Sequence, residues 1–174
     1  MPPTPRPLKL PSRSARKQAE SKALFNEARD AATANFFTLG YSGRTAQDVV
    51  DLLTGAGVRS VIDIRFTPIS MYRPEFSRRN FKRLIEAAGF QYLHVPGLGV
   101  PRDIRAKALA TGNRETIWEW YDTYRVEPFL RNLHDFLNLE HPVALMCVEA
   151  DPRECHRHRL FQALENHGLR GFDL

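Results

Sequence analysis

Between residues 35 and 174, short apolar segments rich in β-branched and aromatic residues alternate with segments whose apolar residues recur every three or four positions. No other feature constrains the fold as much. A strand needs a period of two and a helix one of 3.6, so regular alternation calls for an α/β domain. Its sheet is expected to be open and mostly parallel, with helices on both faces, because parallel strands need a covering crossover. Strands are predicted over Asn35–Tyr41, Val58–Phe66, Phe90–Val95 and Pro142–Val148, with a last one over Gly171–Leu174. Helices are predicted over Thr45–Ala56, from Ser77 to Gly89, over Arg114–Tyr124, from Pro128, and over Pro152–His167. In the Arg114 helix the spacing turns Ile117, Trp120, Tyr121 and Tyr124 inward, and in the next Leu130, Leu133 and Leu137. Residues 102–113 give no clear pattern.

Residues 1–34 differ from the rest. Five of the first eleven residues are proline, and residues 1–30 carry seven basic and three acidic side chains. The remaining 18 basic and 17 acidic residues nearly cancel, so +4 of the net charge of +5 belongs to this segment. It reads as a basic, Pro-rich tail, disordered or loosely helical, before a single α/β domain over 35–174. The folded part lacks the basic excess of a nucleic-acid-binding surface, which leaves nucleic acid as a possible partner of the tail alone. No apolar run is long enough for a membrane span and no signal-peptide core opens the chain. A cytoplasmic protein with two reduced thiols, Cys147 and Cys155, is therefore expected.

In open parallel sheets, ligands bind beyond the carboxyl ends of the strands. The polar residues at those ends are Tyr41 and Ser42, Asp63 and Arg65, His94, and Cys147 with Glu149. Asp63 and Arg65, two apart, share a strand face. The arginine can clamp an anion in bidentate fashion, or the two can neutralise each other. Cys147 and Glu149 also share a face, and a thiol at a strand end beside a helix N-terminus has its thiolate favoured. An inert core thiol is the alternative.

Asp151-Pro152-Arg153-Glu154 has the form of a capping box with proline at the first helical position. It sets the phase of the last helix, turning His156 and Arg157 towards the sheet and Cys155 away from it. Either those two polar residues pair with carboxylates such as Asp63 or Glu149, or they belong to a substrate site. Cys147 and Arg153 have the C-x5-R spacing of a cysteine phosphatase loop, but Glu149, Asp151 and Pro152 oppose anion binding there. Cys147, Cys155, His156 and His158 lack the paired knuckles of a structural zinc site. No metal is expected, and without a G-x-G-x-x-G fingerprint no cofactor either.

Thr38-Leu39-Gly40-Tyr41-Ser42, Asp63-Ile64-Arg65 with Pro68 and Ser70, and Leu145-Met146-Cys147-Val148-Glu149 followed by Cys155-His156-Arg157 occur in that order. In this the chain resembles the domain of unknown function 488 family over residues 35–174. One departure is Val100 after Leu98-Gly99, where the family often has a double glycine. The resemblance implies a compact α/β domain and points to these strand-end residues as one site, but it supplies no substrate.

The residues together suggest an enzyme acting by hydrolysis or group transfer on a small anionic, nucleotide-like molecule. Asp63, Cys147, Glu149 and His156 are the candidate catalytic residues. Tyr41, Ser42, Arg65, Cys155 and Arg157 are candidates for binding substrate. The alternatives are a nucleic-acid-associated or ligand-binding regulatory module, and a thiol redox or metal sensor.

Overall fold

The computed structural model describes residues 33–174. The basic, Pro-rich segment lies outside the described residues, apart from its last two positions. Residues 34–174 form one compact unit.

Its centre is a five-stranded parallel sheet of β1 (Phe36–Gly40), β2 (Ser60–Asp63), β3 (Gln91–His94), β4 (Val143–Cys147) and β5 (Gly171–Asp173), in the order β3-β2-β4-β1-β5. β1, β2 and β4 are buried along their whole length. That burial explains why they read as continuous apolar runs rather than alternating ones. The expected α/β class and the helices on both faces are present.

The helices are α1 (Ala46–Gly55), α2 (Arg78–Ala87), α3 (Arg102–Thr111), α4 (Glu115–Tyr121), α5 (Glu127–Arg131), α6 (Leu133–Leu137) and α7 (Arg157–Asn166). Thr45 caps α1 in a full capping box with Asp48. One sheet face carries Phe36, Ile62, Ile64, Val143, Leu145 and Cys147, and packs with Tyr121, Val126, Phe136, Leu160 and Leu164 from α4–α7 and their junctions. The alternate strand positions, with Leu39, Val61 and Met146, face the other way towards α1 and α2. There Phe81 meets Tyr92 edge-on with ring centroids 6.2 Å apart, within the roughly 4.5–7 Å usual for aromatic pairs.

Three details depart from the sequence reading. Residues 102–113, without a clear pattern, form α3, closed by Gly112 in the left-handed conformation at φ 65°. Residues 122–126 make a π turn between α4 and α5. The wide turn shifts the helical phase, so Tyr124 is 57% exposed rather than inward. α5 and α6 break at Asn132, whose φ is −113°, and Phe136 is buried while Leu137 faces out.

A fourth departure matters most for the site. The segment after β4 is not one helix over 152–167. Asp151 caps a single 3-10 turn, Pro152–Glu154, by accepting from the Arg153 backbone N–H. Cys155 is then extended (φ −119°, ψ 142°), and α7 starts only at Arg157. A helical phase counted from Asp151 therefore fails at Cys155, which is buried rather than turned away.

The topology singles out the carboxyl ends of β2 and β4, in the middle of the sheet. The connection leaving β2 runs towards β3, whereas that leaving β4 runs towards β5. Neighbouring strands whose chains depart in opposite directions leave a crevice between their carboxyl ends.

Candidate functional site

A cavity of about 610 Å³ opens at the β2/β4 switch point. Strand β2 contributes the residues that follow it, Arg65, Phe66 and Thr67, and β4 supplies Cys147, Val148 and Glu149. Tyr41 from the end of β1 and His156 before α7 complete this sheet side. The opposite wall comes from α3 and α4, with Arg102, Arg105, Leu109, Arg114, Ile117 and Trp118.

Close backbone approach shapes the floor. The Glu149 carbonyl oxygen lies only 1.7 Å from where a Cβ on residue 40 would stand, so Gly40 is required there. Likewise Gly99 lets the Phe66 backbone pass, since a Cβ would meet its nitrogen at 2.3 Å.

Cys147 ends β4 and is 2% exposed, and Cys155 is 1% exposed. The Cys147 thiol donates to Glu149 Oε2 at 3.5 Å, and its sulfur lies 4.0 and 3.9 Å from His156 Nδ1 and Nε2. The ligating atoms of Cys147, Cys155 and His156 all lie within 4.8 Å of one another. His156 Nε2 also donates to the Ile64 carbonyl at 3.3 Å, and its ring rests against Tyr121 at 5.0 Å. Tyr121 is itself pinned by a 2.6 Å bond from its hydroxyl to the Leu98 carbonyl.

The two thiols diverge in acidity. Its hydrogen bond to Cys155 holds the proton on Cys147, and burial adds to this, so Cys147 ionises well above the ordinary thiol range. Burial opposes ionisation of Cys155, but hydrogen bonds from Cys147 and His156 outweigh it and bring Cys155 well below that range. Burial, followed by the negative charge of Cys155, raises the carboxyl of Glu149.

The other sequence candidates sit differently. Asp63 is fully buried and does not line the cavity. Its carboxylate takes Arg65 Nε at 2.8 Å and Nη2 at 2.6 Å, and the Tyr92 hydroxyl at 2.6 Å. Arg65 touches the cavity, yet its remaining Nη1 donates to the Phe76 carbonyl at 2.7 Å and to Tyr41 Oη at 3.4 Å. Mutual neutralisation is thus the arrangement of this pair. Tyr41 stacks on Phe76 with centroids 4.0 Å apart. Ser42 donates its backbone N–H to the Val148 carbonyl and does not line the cavity. His94 Nε2 donates to the Arg65 carbonyl at 2.9 Å.

Arg157 is also fully buried and absent from the cavity wall. It donates to the carbonyls of Glu149 and Ala150, the latter at 2.9 Å, and pairs with Asp173 at 3.2 Å. These bonds tie the loop that carries Glu149 to β5. The structure therefore brings Cys147, Glu149, Cys155 and His156 together and separates Asp63 and Arg157 from the cavity.

Sequence reasoning missed the α3–α4 wall. Arg102, Arg105, Ala108, Leu109 and Gly112 follow one another at helical spacing, a signal that could have shown a common face. Arg114 is paired with Glu154 at 3.7 Å. Arg102 and Arg105 have no ion-pair partner among the described residues. Trp118, outside the set that the spacing turns inward, is half-buried, lines the cavity and meets His158 edge-on at 4.8 Å.

Among known families, the one described as "Domain of unknown function DUF488" matches residues 45–164, more than half of the chain. The Asp63 and Cys147–Arg157 motifs fall inside that match, and the Gly40-Tyr41-Ser42 motif just before it. No curated protein and no solved structure matches the chain. Among the described residues no helix is long and apolar enough to cross a membrane.

Proposed function

The chain belongs to the DUF488 family, and on that premise we propose that its rim cavity binds a small anionic, nucleotide-like molecule and carries out hydrolysis or group transfer on it. One observation carries this reading. Arg102 and Arg105, which have no ion-pair partner among the described residues, line the same cavity as a thiol, a carboxylate and an imidazole. Positive charge facing such a cavity suits an anion. The apolar surfaces of Phe66, Val100, Ile117 and Trp118 suit a planar ring, and about 610 Å³ is within the usual range for a small-molecule site.

The chemistry is assigned to the floor. Glu149, raised by burial, is poised to hold or give a proton nearer neutrality than an ordinary carboxylate. Cys147 donates its thiol to this carboxylate, and His156 lies against the Cys147 sulfur. Asp63, Arg65, Tyr41 and Arg157 act as positioning residues, holding the rim and the Glu149 loop. A cytoplasmic setting, a division into a basic segment over 1–34 and a domain over 35–174, and a nucleic-acid contact made by that segment belong to the same proposal. Its charge of +4 over residues 1–30 supports the contact, and strongly salt-dependent binding lost on deleting that segment would test it.

The test of the main reading is calorimetric titration with nucleoside mono- and diphosphates, then product analysis. Arg102→Gln with Arg105→Gln should weaken binding by about 10–100-fold, as expected for losing two charge-assisted contacts. Glu149→Gln should leave binding in place and stop turnover. Absence of binding for every phosphate and carboxylate ligand tried would overturn the reading.

A further inference from the structure

We propose that Cys147, Cys155 and His156 hold one divalent transition-metal ion of the zinc type, with a fourth coordination position open to the rim cavity beside Glu149. The three ligating atoms already lie within 4.8 Å of one another. A tetrahedral zinc centre with bonds of about 2.3 Å to sulfur and about 2.0–2.1 Å to nitrogen has edges of roughly 3.6–3.8 Å between ligand atoms. The distance from Cys147 Sγ to His156 Nδ1 is 4.0 Å, within a few tenths of such an edge. Small side-chain adjustments suffice to close the set around an ion.

The surroundings are those of a ligand set. Nε2 of His156 is engaged by the Ile64 carbonyl, which leaves Nδ1 as the free nitrogen. Packing against Tyr121, whose hydroxyl is itself anchored, fixes the ring. Two sulfurs and an imidazole select a soft or borderline ion over Mg²⁺ or Ca²⁺. On binding, both S–H bonds break, two sulfur–metal bonds form and two protons leave to solvent. Two thiolates then neutralise the ion's double charge within a buried floor.

The linear spacing conceals this set because it needs the extended Cys155. That residue folds the chain back so that it and its neighbour His156 reach the end of β4. His158, the fourth residue of the sequence pattern, is left out, since its Nδ1 donates to the Cys155 carbonyl at 2.6 Å. Three protein ligands with one open position is the pattern of a metal that acts on substrate rather than one that only braces a fold. That the open position serves the anion rests on the function proposed above; that these three residues bind a metal does not.

The full chain, reduced and stripped of metal, is titrated with Co²⁺ and then with Zn²⁺. One equivalent of Co²⁺ should produce thiolate-to-cobalt charge transfer and the intense visible bands of tetrahedral coordination, and Zn²⁺ should abolish both. Saturating Zn²⁺ should also protect both thiols from a disulfide reagent. Cys155→Ala should lose the charge-transfer bands and bind on the order of 100-fold more weakly or worse, beyond the usual effect of an outer residue. Glu149→Gln should keep them. Unprotected wild-type thiols, or Co²⁺ bands unchanged in Cys155→Ala, would overturn the proposal. If Cys155→Ala does not fold, the wild-type thiol protection decides alone. Nucleotide titration of the metal-free protein reads the arginine wall separately, so either idea can fail without the other.

Discussion

Replacing Arg157 by methionine keeps most of the stem and removes the guanidinium from a fully buried position. Three acceptors lose their donor: the Glu149 carbonyl, the Ala150 carbonyl and the Asp173 carboxylate. Asp173 is 30% exposed and keeps the Thr38 hydroxyl, so water and that hydroxyl recover part of its loss. The Glu149 carbonyl has no such recourse, because it is packed against Gly40. Breaking a buried pair costs about 3–5 kcal/mol and an orphaned buried acceptor about 1–3 kcal/mol, and the two overlap here. A loss of about 3–4 kcal/mol is expected, which for a domain of this size lowers the melting temperature by roughly 10 °C. Asp151→Ala is the control, since that carboxylate is exposed and caps only a three-residue turn. Thermal unfolding of the two variants side by side is the assay. Arg157→Met melting within about 2 °C of wild type, or above Asp151→Ala, would refute the role of Arg157 as anchor of the Glu149 loop.

Three further outcomes are expected. Gly40→Ala must push the Glu149 backbone away from a Cβ that would stand 1.7 Å from its oxygen, at about 3 kcal/mol or more by urea unfolding; near-wild-type stability would show that the loop is free to shift. Burial, and then the Asp63 charge, raises the Tyr92 hydroxyl, so its contribution to stability is present below the unfolded tyrosine value of about 10 and is lost as pH rises above it. Tyr92→Phe should therefore show a shallower fall in urea midpoint between about pH 9 and 11 than wild type, and equal slopes would contradict the pairing with Asp63. Arg102→Gln and Arg105→Gln, both exposed, should change stability by no more than about 0.5 kcal/mol, and a larger loss by thermal unfolding would make them structural rather than available to a ligand.

Legibility in the sequence followed the range of the interaction involved. The strands were readable because a central parallel strand must be apolar on both faces, as Val143–Cys147 is. The start of the first helix at Thr45 was readable because the interactions that fix it lie within three residues. The strand-end rule put Arg65, Cys147 and Glu149 at the carboxyl rim of the sheet, since it depends only on chain direction, whereas the β2/β4 switch point needed the strand order. Tyr124 and Leu137 were misplaced because the π turn and the Asn132 break shift the helical phase. The α3 wall was not legible because the spacing of Arg102, Arg105 and Leu109 marks a common helix face but not the distant strand ends that this face meets.

The amino-acid sequence by itself determined the α/β class, the strand ends that hold polar residues, and a basic segment chemically distinct from the nearly neutral remainder. Only the tertiary structure decided which of those polar residues work together. Asp63 and Arg65 spend their charges on each other, and Arg157 on backbone carbonyls, because buried charges must find partners wherever the fold supplies them. Cys155 joins Cys147 because one extended residue interrupts what local signals mark as continuous helix. Local periodicity specifies elements, whereas a site is made of contacts between elements far apart in the chain, and those distances are set only once the sheet has closed its register.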